Sequence, residues 1–309
     1  MPDRRALAAL AARDDVESRI VRRRGSRWHT AHGPFGKVSL GKSNATLLVS
    51  GVNLHVRAAE RLLRRFDFIP QARLDDVMVS FATPGGGVGP HSDSYDVFLL
   101  QGPGRRRWRF WNLQNKASDC VAEPGDLLYL PPGWKHDGVA LEPCCTYSIG
   151  FRAPRGAELG AAFLDFLHER GLPDAVYGDA DLTPARKAAL LPHRMIRFAE
   201  KVLKRIRWSR TDVVTFLGEY LTQPKSHVVF RSTRSKGSWI RLDAKSQLLY
   251  CGRRFFINGD AFSLPARDRR AMRELAERRE IPANRLARQS KLIGKWRRAG
   301  YLHRERRDG

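Results

Sequence analysis

The sequence predicts a mainly β protein with helices added, built in three parts. Three observations carry that reading. Between Val77 and Ser148, short apolar runs alternate with Gly- and Pro-rich turns, the pattern of successive strands. After Pro154 the apolar residues shift to helical spacing, at Leu159, Phe163, Phe166 and Leu167. From Gln223 onward, short strand-like runs and helical runs mix, and the composition turns strongly basic. The parts are a strand-rich domain at 1–154, a helical block at 155–222 and a small mixed domain at 223–309, within what 309 residues can hold as ordinary cores.

Taken in order, Pro2 to Ala12 reads as an amphipathic helix, Asp15 to Val21 as the start of a strand, and Arg22-Arg-Arg-Gly25 as a hairpin turn before Trp28. Thr46 to Val52 is an apolar strand or a helix start, and Val56 to Phe66 has helical spacing with Arg61, Arg64 and Arg65 on its solvated face. Val77 to Ala82 is a strand feeding Gly85-Gly-Gly87, which is either a flexible turn or the rim of a substrate channel. Asp93 to Leu100 runs as a strand into Gln-Gly-Pro-Gly, and Arg105 to Trp111 returns antiparallel. Trp108 and Trp134 are read as core. Helices follow at Ala157–Arg170, from Thr183-Pro184 with proline at the first helical position, at Pro192–Trp208 and at Thr211–Leu221. The last part has short strands at Val228–Phe230, Trp239–Leu242, Gln247–Tyr250 and Arg254–Ile257, then helices at Ala266–Arg279 and Ala283–Gly300.

Metal chemistry is suggested by one spacing. His91 and Asp93 stand two apart in a strand-like segment, so both side chains leave the same face. The apolar run Asp126-Leu-Leu-Tyr-Leu-Pro131 and a Pro-Pro-Gly turn then lead to His136. Two histidines and one carboxylate on one side of a metal suit Fe(II) oxygenase chemistry, because the remaining positions stay open for a chelating co-substrate and for O2. Tyr95 shares the face of His91 and Asp93, where it lines a substrate pocket or packs the barrel.

The order H-x-D, then QGPGRRRW, then PGDLLYLPPGWKH, then YSIGFR resembles the bacterial JmjC-type ribosomal oxygenases, densest from Asp75 to Pro154, with the His32-Gly-Pro-Phe35 tetrapeptide upstream. That family hydroxylates an arginine of the sixteenth large-subunit ribosomal protein, using Fe(II) and 2-oxoglutarate. The resemblance implies a double-stranded β-helix (jelly-roll, cupin/JmjC) core, a helical block that dimerises, and a winged-helix-like C-terminal domain. It makes His91, Asp93 and His136 the Fe(II) ligands. Arg106, from the GRRRW strand, pairs with the distal carboxylate of 2-oxoglutarate, since a desolvated carboxylate needs a cation and arginine pairs bidentately. Thr146 and Ser148 share a strand face and hydrogen-bond the co-substrate. The family commonly has asparagine at the position of Thr146, and a hydroxyl offers fewer donors. Asp137, beside His136, is a candidate contact for the substrate guanidinium, and His32 is structural near the site. Family members carry several dozen residues before Arg22, so this chain is expected either to have a longer natural N-terminus or to leave one sheet edge unpaired.

Composition narrows the rest. No apolar run is long enough for a transmembrane helix, and the N-terminus lacks a signal-peptide core, so the expected location is cytoplasmic. Cys120, Cys144, Cys145 and Cys251 form no C-x-x-C and no disulfide framework, and alternation sends Cys144 and Cys145 to opposite faces as packing thiols. No P-loop and no nucleophile elbow is present. The net charge of +24 is either a solvated surface or an affinity for rRNA near a ribosomal target. Residues 223–309 hold 23 Lys/Arg and 8 Asp/Glu, a net of +15. Two rival functions stand beside the hydroxylase. One is the same scaffold acting on another protein or a small molecule, and the other is a non-catalytic basic protein that binds RNA or the ribosome.

Overall fold

The strand-rich part closes into two facing antiparallel sheets, seen in a computed structural model that describes residues 1–178, 180–181 and 183–306. Helix α1 (Arg4–Ala11) precedes β1 (Ser18–Arg24), β2 (Arg27–His32) and β3 (Ala45–Val49); α2 (Arg57–Arg64) leads to β4 (Leu74–Ala82). Strands β5 (His91–Ser92), β6 (Val97–Gln101), β7 (Arg106–Trp111), β8 (Ala117–Ala122), β9 (Leu127–Leu130), β10 (Lys135–Ala140) and β11 (Cys144–Phe151) follow. The larger sheet has the order β2-β1-β3-β4-β11-β6-β9 and the smaller β5-β10-β7-β8, which is a double-stranded β-helix. Asp3 caps α1 by accepting the Ala6 N–H, and the helix then buries Leu7 and Leu10 against the back of the large sheet. The outward residues of β3, β4 and β11, Leu47, Val77, Val79 and Ile149 among them, fill that core, each contributing about 1.5–3 kcal/mol of burial. Their neighbours one position along face between the sheets. Alternation places Cys145 in this core and Cys144 in a separate cluster with Ala82 and Ala140. The four cysteines are free.

Several expectations shift. Asp93 to Asp96 is a bend and β6 starts only at Val97. Arg64 does not join Arg61 and Arg65 in solvent: its guanidinium is largely buried, 3.5 Å from Asp67, because α2 is covered on that side by the C-terminal domain. The helix expected from Thr183-Pro184 is absent among the described residues. Pro192 leaves too few residues to repay nucleation, and every described residue from 183 to 192 is exposed, so no packing makes up the difference. Val228–Phe230 is not a strand. Strand β2 is the free edge of the large sheet.

The helical block is α3 (Gly156–Glu169), α4 (His193–Leu203) and α5 (Arg210–Thr222). Helices α3 and α5 share a core of Phe163, Phe166, Leu167 and Phe216, whereas α4 has no buried residue. The C-terminal part contains β12 (Trp239–Leu242), β13 (Leu248–Cys251), β14 (Arg254–Ile257), β15 (Asp260–Ser263), α6 (Ala266–Arg278), β16 (Glu280–Pro282), α7 (Ser290–Ala299) and β17 (Leu302–Glu305). It forms two small sheets, β16-β12-β17 and β13-β14-β15, a winged-helix arrangement onto which α5 also packs. The single helix expected over 283–300 breaks at Leu286 into a 3-10 stretch and α7. Glu60 of α2 clamps this domain to the barrel. Its carboxylate takes Arg279 Nε at 3.1 Å and Arg241 Nη1 at 3.0 Å, and Arg279 also donates to the Ser246 and Asp243 carbonyls.

Candidate active site

The inward residues of both sheets line a cavity of about 370 Å³. Alternate positions of neighbouring strands supply it: Thr46, Leu48 and Ser50 from β3 and its end, Asp76, Met78 and Ser80 from β4, Thr146, Ser148 and Gly150 from β11, and Val97 and Leu99 from β6. From the smaller sheet come His91, Arg106, Trp108 and His136.

His91, Asp93 and His136 converge, with one ligand atom from each lying within 4.8 Å of the others. The convergence follows from pairing, because His91 and His136 are cross-strand partners on β5 and β10, with ring centroids 4.2 Å apart. His136 Nε2 lies 3.8 Å from Asp93 Oδ2. Each Nδ1 is tied to a carbonyl two residues upstream, His91 to Gly89 at 2.9 Å and His136 to Trp134 at 3.1 Å, which makes Nδ1 the protonated nitrogen and turns Nε2 inward as a lone-pair donor. Burial holds the His136 pKa below its ordinary value, so the ring is neutral at pH 7. This donor set fits a divalent metal with open positions.

Two glycines permit that geometry. Gly89 has φ +84°, and a Cβ there would meet the Trp28 indole at 2.7 Å, so Trp28 of β2 packs closely against the loop whose carbonyl orients His91. Gly138, opposite Trp108 across β10 and β7, leaves no room for a Cβ beside that indole, which would stand 2.5 Å away. Trp108 in turn lies 6.1 Å from the His136 ring.

One wall of the cavity carries the orphaned polar groups. Arg106 is 5% exposed, and its Nε and Nη2 have no hydrogen-bond partner; Thr46, fully buried, has an unpartnered hydroxyl. A buried cation and a buried hydroxyl without partners fit an anionic carboxylate as the missing one. Thr146 is differently placed. Gln101 spends both amide hydrogens on the Gly104 and Cys145 carbonyls, so its Oε1 takes the Thr146 hydroxyl proton at 3.1 Å. Thr146 can therefore only accept, and its donor is not free for a carboxylate. The Ser148 hydroxyl carries no such commitment.

Around Asp93 the lining turns acidic. Asp76 accepts the Gly51 N–H at 2.7 Å and forms no ion pair among the described residues; burial, then Asp75, raises its pKa against the opposing pull of Lys225. Asp75 is engaged by Arg152 and Lys225, at 3.4 and 3.1 Å. Glu17 stands in the same lining. Tyr95 borders the cavity, and burial, then Asp93, push its phenol up to about 12, leaving it a donor at neutral pH. Asp137 does not reach the cavity. It follows His136 on β10, so alternation turns it to the outer face, opposite Arg109, with Oδ1 buried and unpartnered. His32 ends β2 and is not among the lining residues.

The sequence reading thus placed seven of its eight site residues at the cavity, and it passed over Trp28, Thr46, Gln101 and Asp76. Thr46 carried a signal, since it breaks the otherwise apolar run Ala45–Val49 on the inward phase.

Comparison with known proteins agrees with this geometry. A JmjC domain profile matches residues 61–119 and 113–159, and a ROXA-like winged helix profile matches 205–303. The ribosomal protein uL16 3-hydroxylase of Escherichia coli is 40% identical over 238 residues, covering 71% of this chain and 64% of that one. A probable ribosomal oxygenase of Haemophilus influenzae is 36% identical over 172 residues, 48% of this chain and 43% of that one. By sequence, then, the match spans just under two thirds of the first relative and less than half of the second. The structure of YcfD, a ribosomal oxygenase from Escherichia coli in complex with cobalt and 2-oxoglutarate, superposes with a TM-score of 0.82 at 33% identity, covering 97% of this chain and 90% of that one.

Proposed function

The chain belongs to the bacterial JmjC-type ribosomal oxygenases, and on that premise we propose that it is an Fe(II)- and 2-oxoglutarate-dependent hydroxylase of an arginine side chain in ribosomal protein uL16. The observation that carries the proposal is the pairing, in one cavity, of a three-ligand His–Asp–His cluster with a buried, unpartnered arginine. A protein that only bound RNA would gain nothing from a buried cation whose hydrogen-bond donors lack an anionic partner.

In this reading His91, Asp93 and His136 hold Fe(II), and Arg106, with the Thr46 and Ser148 hydroxyls, receives the distal carboxylate of 2-oxoglutarate. When bound, the metal and co-substrate supply the O2-dependent oxidation, with 2-oxoglutarate decarboxylated to succinate and one oxygen inserted into a C–H bond. The protein orients and encloses. Trp28 and Gly89 fix the His91 ring, and Trp108 excludes water beside His136. Asp76 serves the arginine substrate: a carboxyl buried without a cation is paired when a guanidinium enters, and the Tyr95 phenol borders the same passage.

Two further parts of the proposal concern assembly and setting. We place a homodimer contact on the helical block, because α4 buries no residue of its own chain while Leu164 and Leu203 are each 64% exposed. The setting is the cytoplasm, close to rRNA; among the described residues no helix is long and apolar enough to cross a membrane.

The test is 2-oxoglutarate turnover with Fe(II) and a synthetic uL16 peptide, read by mass spectrometry. A gain of one oxygen on one arginine, absent in Asp93→Ala, is expected. Turnover without peptide modification would remove the substrate and keep the oxygenase, and absence of both turnover and metal binding would refute the enzyme.

A further inference from the structure

The clamp at Glu60 turns one side of the winged-helix domain toward the barrel and leaves α7 facing solvent. Between Glu280 and Glu305 the chain has no acidic residue and seven Lys/Arg. Lys291, Lys295 and Arg298 recur at spacings of four and three, one stripe along α7, with Arg288 on the 3-10 stretch just before it, and all four are exposed. The opposite face of α7 buries Ile293 and Trp296 in the domain core. A second acid-free stretch, from Tyr220 to Leu242, lies against the end of this helix. Arg297 donates to the Ser235 carbonyl at 3.4 Å, the Arg304 N–H to Ser235 Oγ at 3.1 Å, and the Phe230 and Tyr301 rings are 4.8 Å apart. That contact brings exposed Arg234 and Lys236 to the same side as the stripe.

Solvated basic faces on ordinary proteins are usually interspersed with acids. Here the nearest carboxylates are already engaged, Glu274 by Arg278 and Arg285 and Glu305 by Arg241. Among the described residues no ion pair or hydrogen bond engages the side chains of Arg288, Lys291, Lys295, Arg298, Arg234 or Lys236.

We propose that the α7 stripe, together with the segment before β12, is a docking surface for the phosphate backbone of RNA. The surface suits backbone contacts rather than base reading. Its cations are long and flexible, and it presents no asparagine or glutamine pair aimed outward from α7. Affinity would come from counterion release, so about six contacts give a steep dependence on salt. The choice of RNA over DNA rests on the ribosomal-protein reading above; the phosphate-binding character rests on the surface alone.

The test is fluorescence anisotropy of the full chain with a labelled RNA hairpin and with duplex DNA of the same sequence, across a salt series. The triple variant K291A/K295A/R298A is expected to weaken RNA binding by more than roughly tenfold and to flatten the log–log salt slope by about three, one for each lost contact. The matched triple R5A/R61A/R65A, which removes the same charge from exposed positions on α1 and at α2, is expected to leave both nearly unchanged. Equal loss in the two triples would mean that net charge, not this face, binds RNA, and would overturn the proposal. So would wild-type affinity in the α7 triple, or DNA bound as tightly as RNA. Hydroxylation of the uL16 peptide by the same variant separates the two readings. Peptide turnover kept while RNA binding is lost supports the surface. RNA binding at this face without any turnover refutes the hydroxylase and leaves the surface standing.

Discussion

Replacing Arg106 by methionine should stabilise the protein and abolish its response to 2-oxoglutarate, an opposite pair of effects that few residues would show. Arg106 is 5% exposed, two of its guanidinium nitrogens have no hydrogen-bond partner, and among the described residues it forms no ion pair, its guanidinium lying over the Trp108 ring at 5.6 Å. An unsatisfied buried polar group costs about 1–3 kcal/mol, and a charged one more. Methionine has similar reach and no charge, so the ligand-free protein should gain at least about 1–3 kcal/mol. At about 2–4 °C per kcal/mol for a unit of this size, the melting temperature rises by roughly 2–12 °C. In the wild type, 2-oxoglutarate at a hundredfold excess over its Kd adds about 2.7 kcal/mol, or roughly 5–11 °C. The variant should show none of that shift. Scanning calorimetry with Mn(II), with and without 2-oxoglutarate, reads both effects. A variant that melts lower than wild type and still responds to 2-oxoglutarate would refute the assignment, because Arg106 would then be a structural cation with partners of its own.

Glu60→Ala should cost about 3–5 kcal/mol by leaving Arg279 buried without its counter-charge, while Arg241 keeps only Glu305. Limited proteolysis should then release the winged-helix domain before the barrel is cut, and simultaneous digestion would contradict the clamp. Asp76→Asn should raise stability at pH 7. Burial holds the Asp76 carboxyl above its ordinary range, so folded wild type loses stability as pH rises through that range, whereas asparagine never ionises. The advantage should vanish below the ordinary carboxylate pKa, and denaturation series at pH 7 and in acid compare the two. The same variant should raise the KM for the peptide by roughly ten- to hundredfold through loss of a charge-assisted contact. Trp28→Ala should weaken Mn(II) binding by about 10–100-fold, measured by electron paramagnetic resonance, since the residue acts on the metal only through Gly89 and His91. Unchanged affinity would mean that the hairpin is mere packing.

The metal cluster was legible because its geometry is short-range. His91 pairs with His136 across β5 and β10, and Asp93 joins them from the bend just past β5, so one strand pairing brings the three together. Arg106 was singled out by the resemblance of its strand to the family's, and Tyr95 reaches the cavity from the bend before β6 rather than from a strand, while Thr146 and Ser148 share one face of β11 by alternation. Asp137 failed on that same rule, since a neighbour in sequence on a strand is on the opposite face. What stayed hidden depends on distant pairings. Trp28 meets Gly89 only after β2 has been folded across the loop, and the commitment of Thr146 depends on where Gln101 spends its amide hydrogens. Arg64 looked like a solvated charge because nothing local reveals that the C-terminal domain covers α2. The helix expected at Thr183 had correct starting chemistry and nothing to pack on.

Strand β11 has every residue buried and lies between β4 and β6, yet it is the last strand of the barrel to be synthesised. Until it inserts, β4 and β6 each present an open edge of unpaired backbone, and the two halves of the large sheet are not joined. A nascent chain therefore carries all three candidate iron ligands before it has the strand that closes the cavity around them. Destabilising changes in β11 should lower the yield of soluble protein far more than the specific activity of the molecules that do fold, because the hazard falls in the interval before closure, when two sticky edges await the same partner.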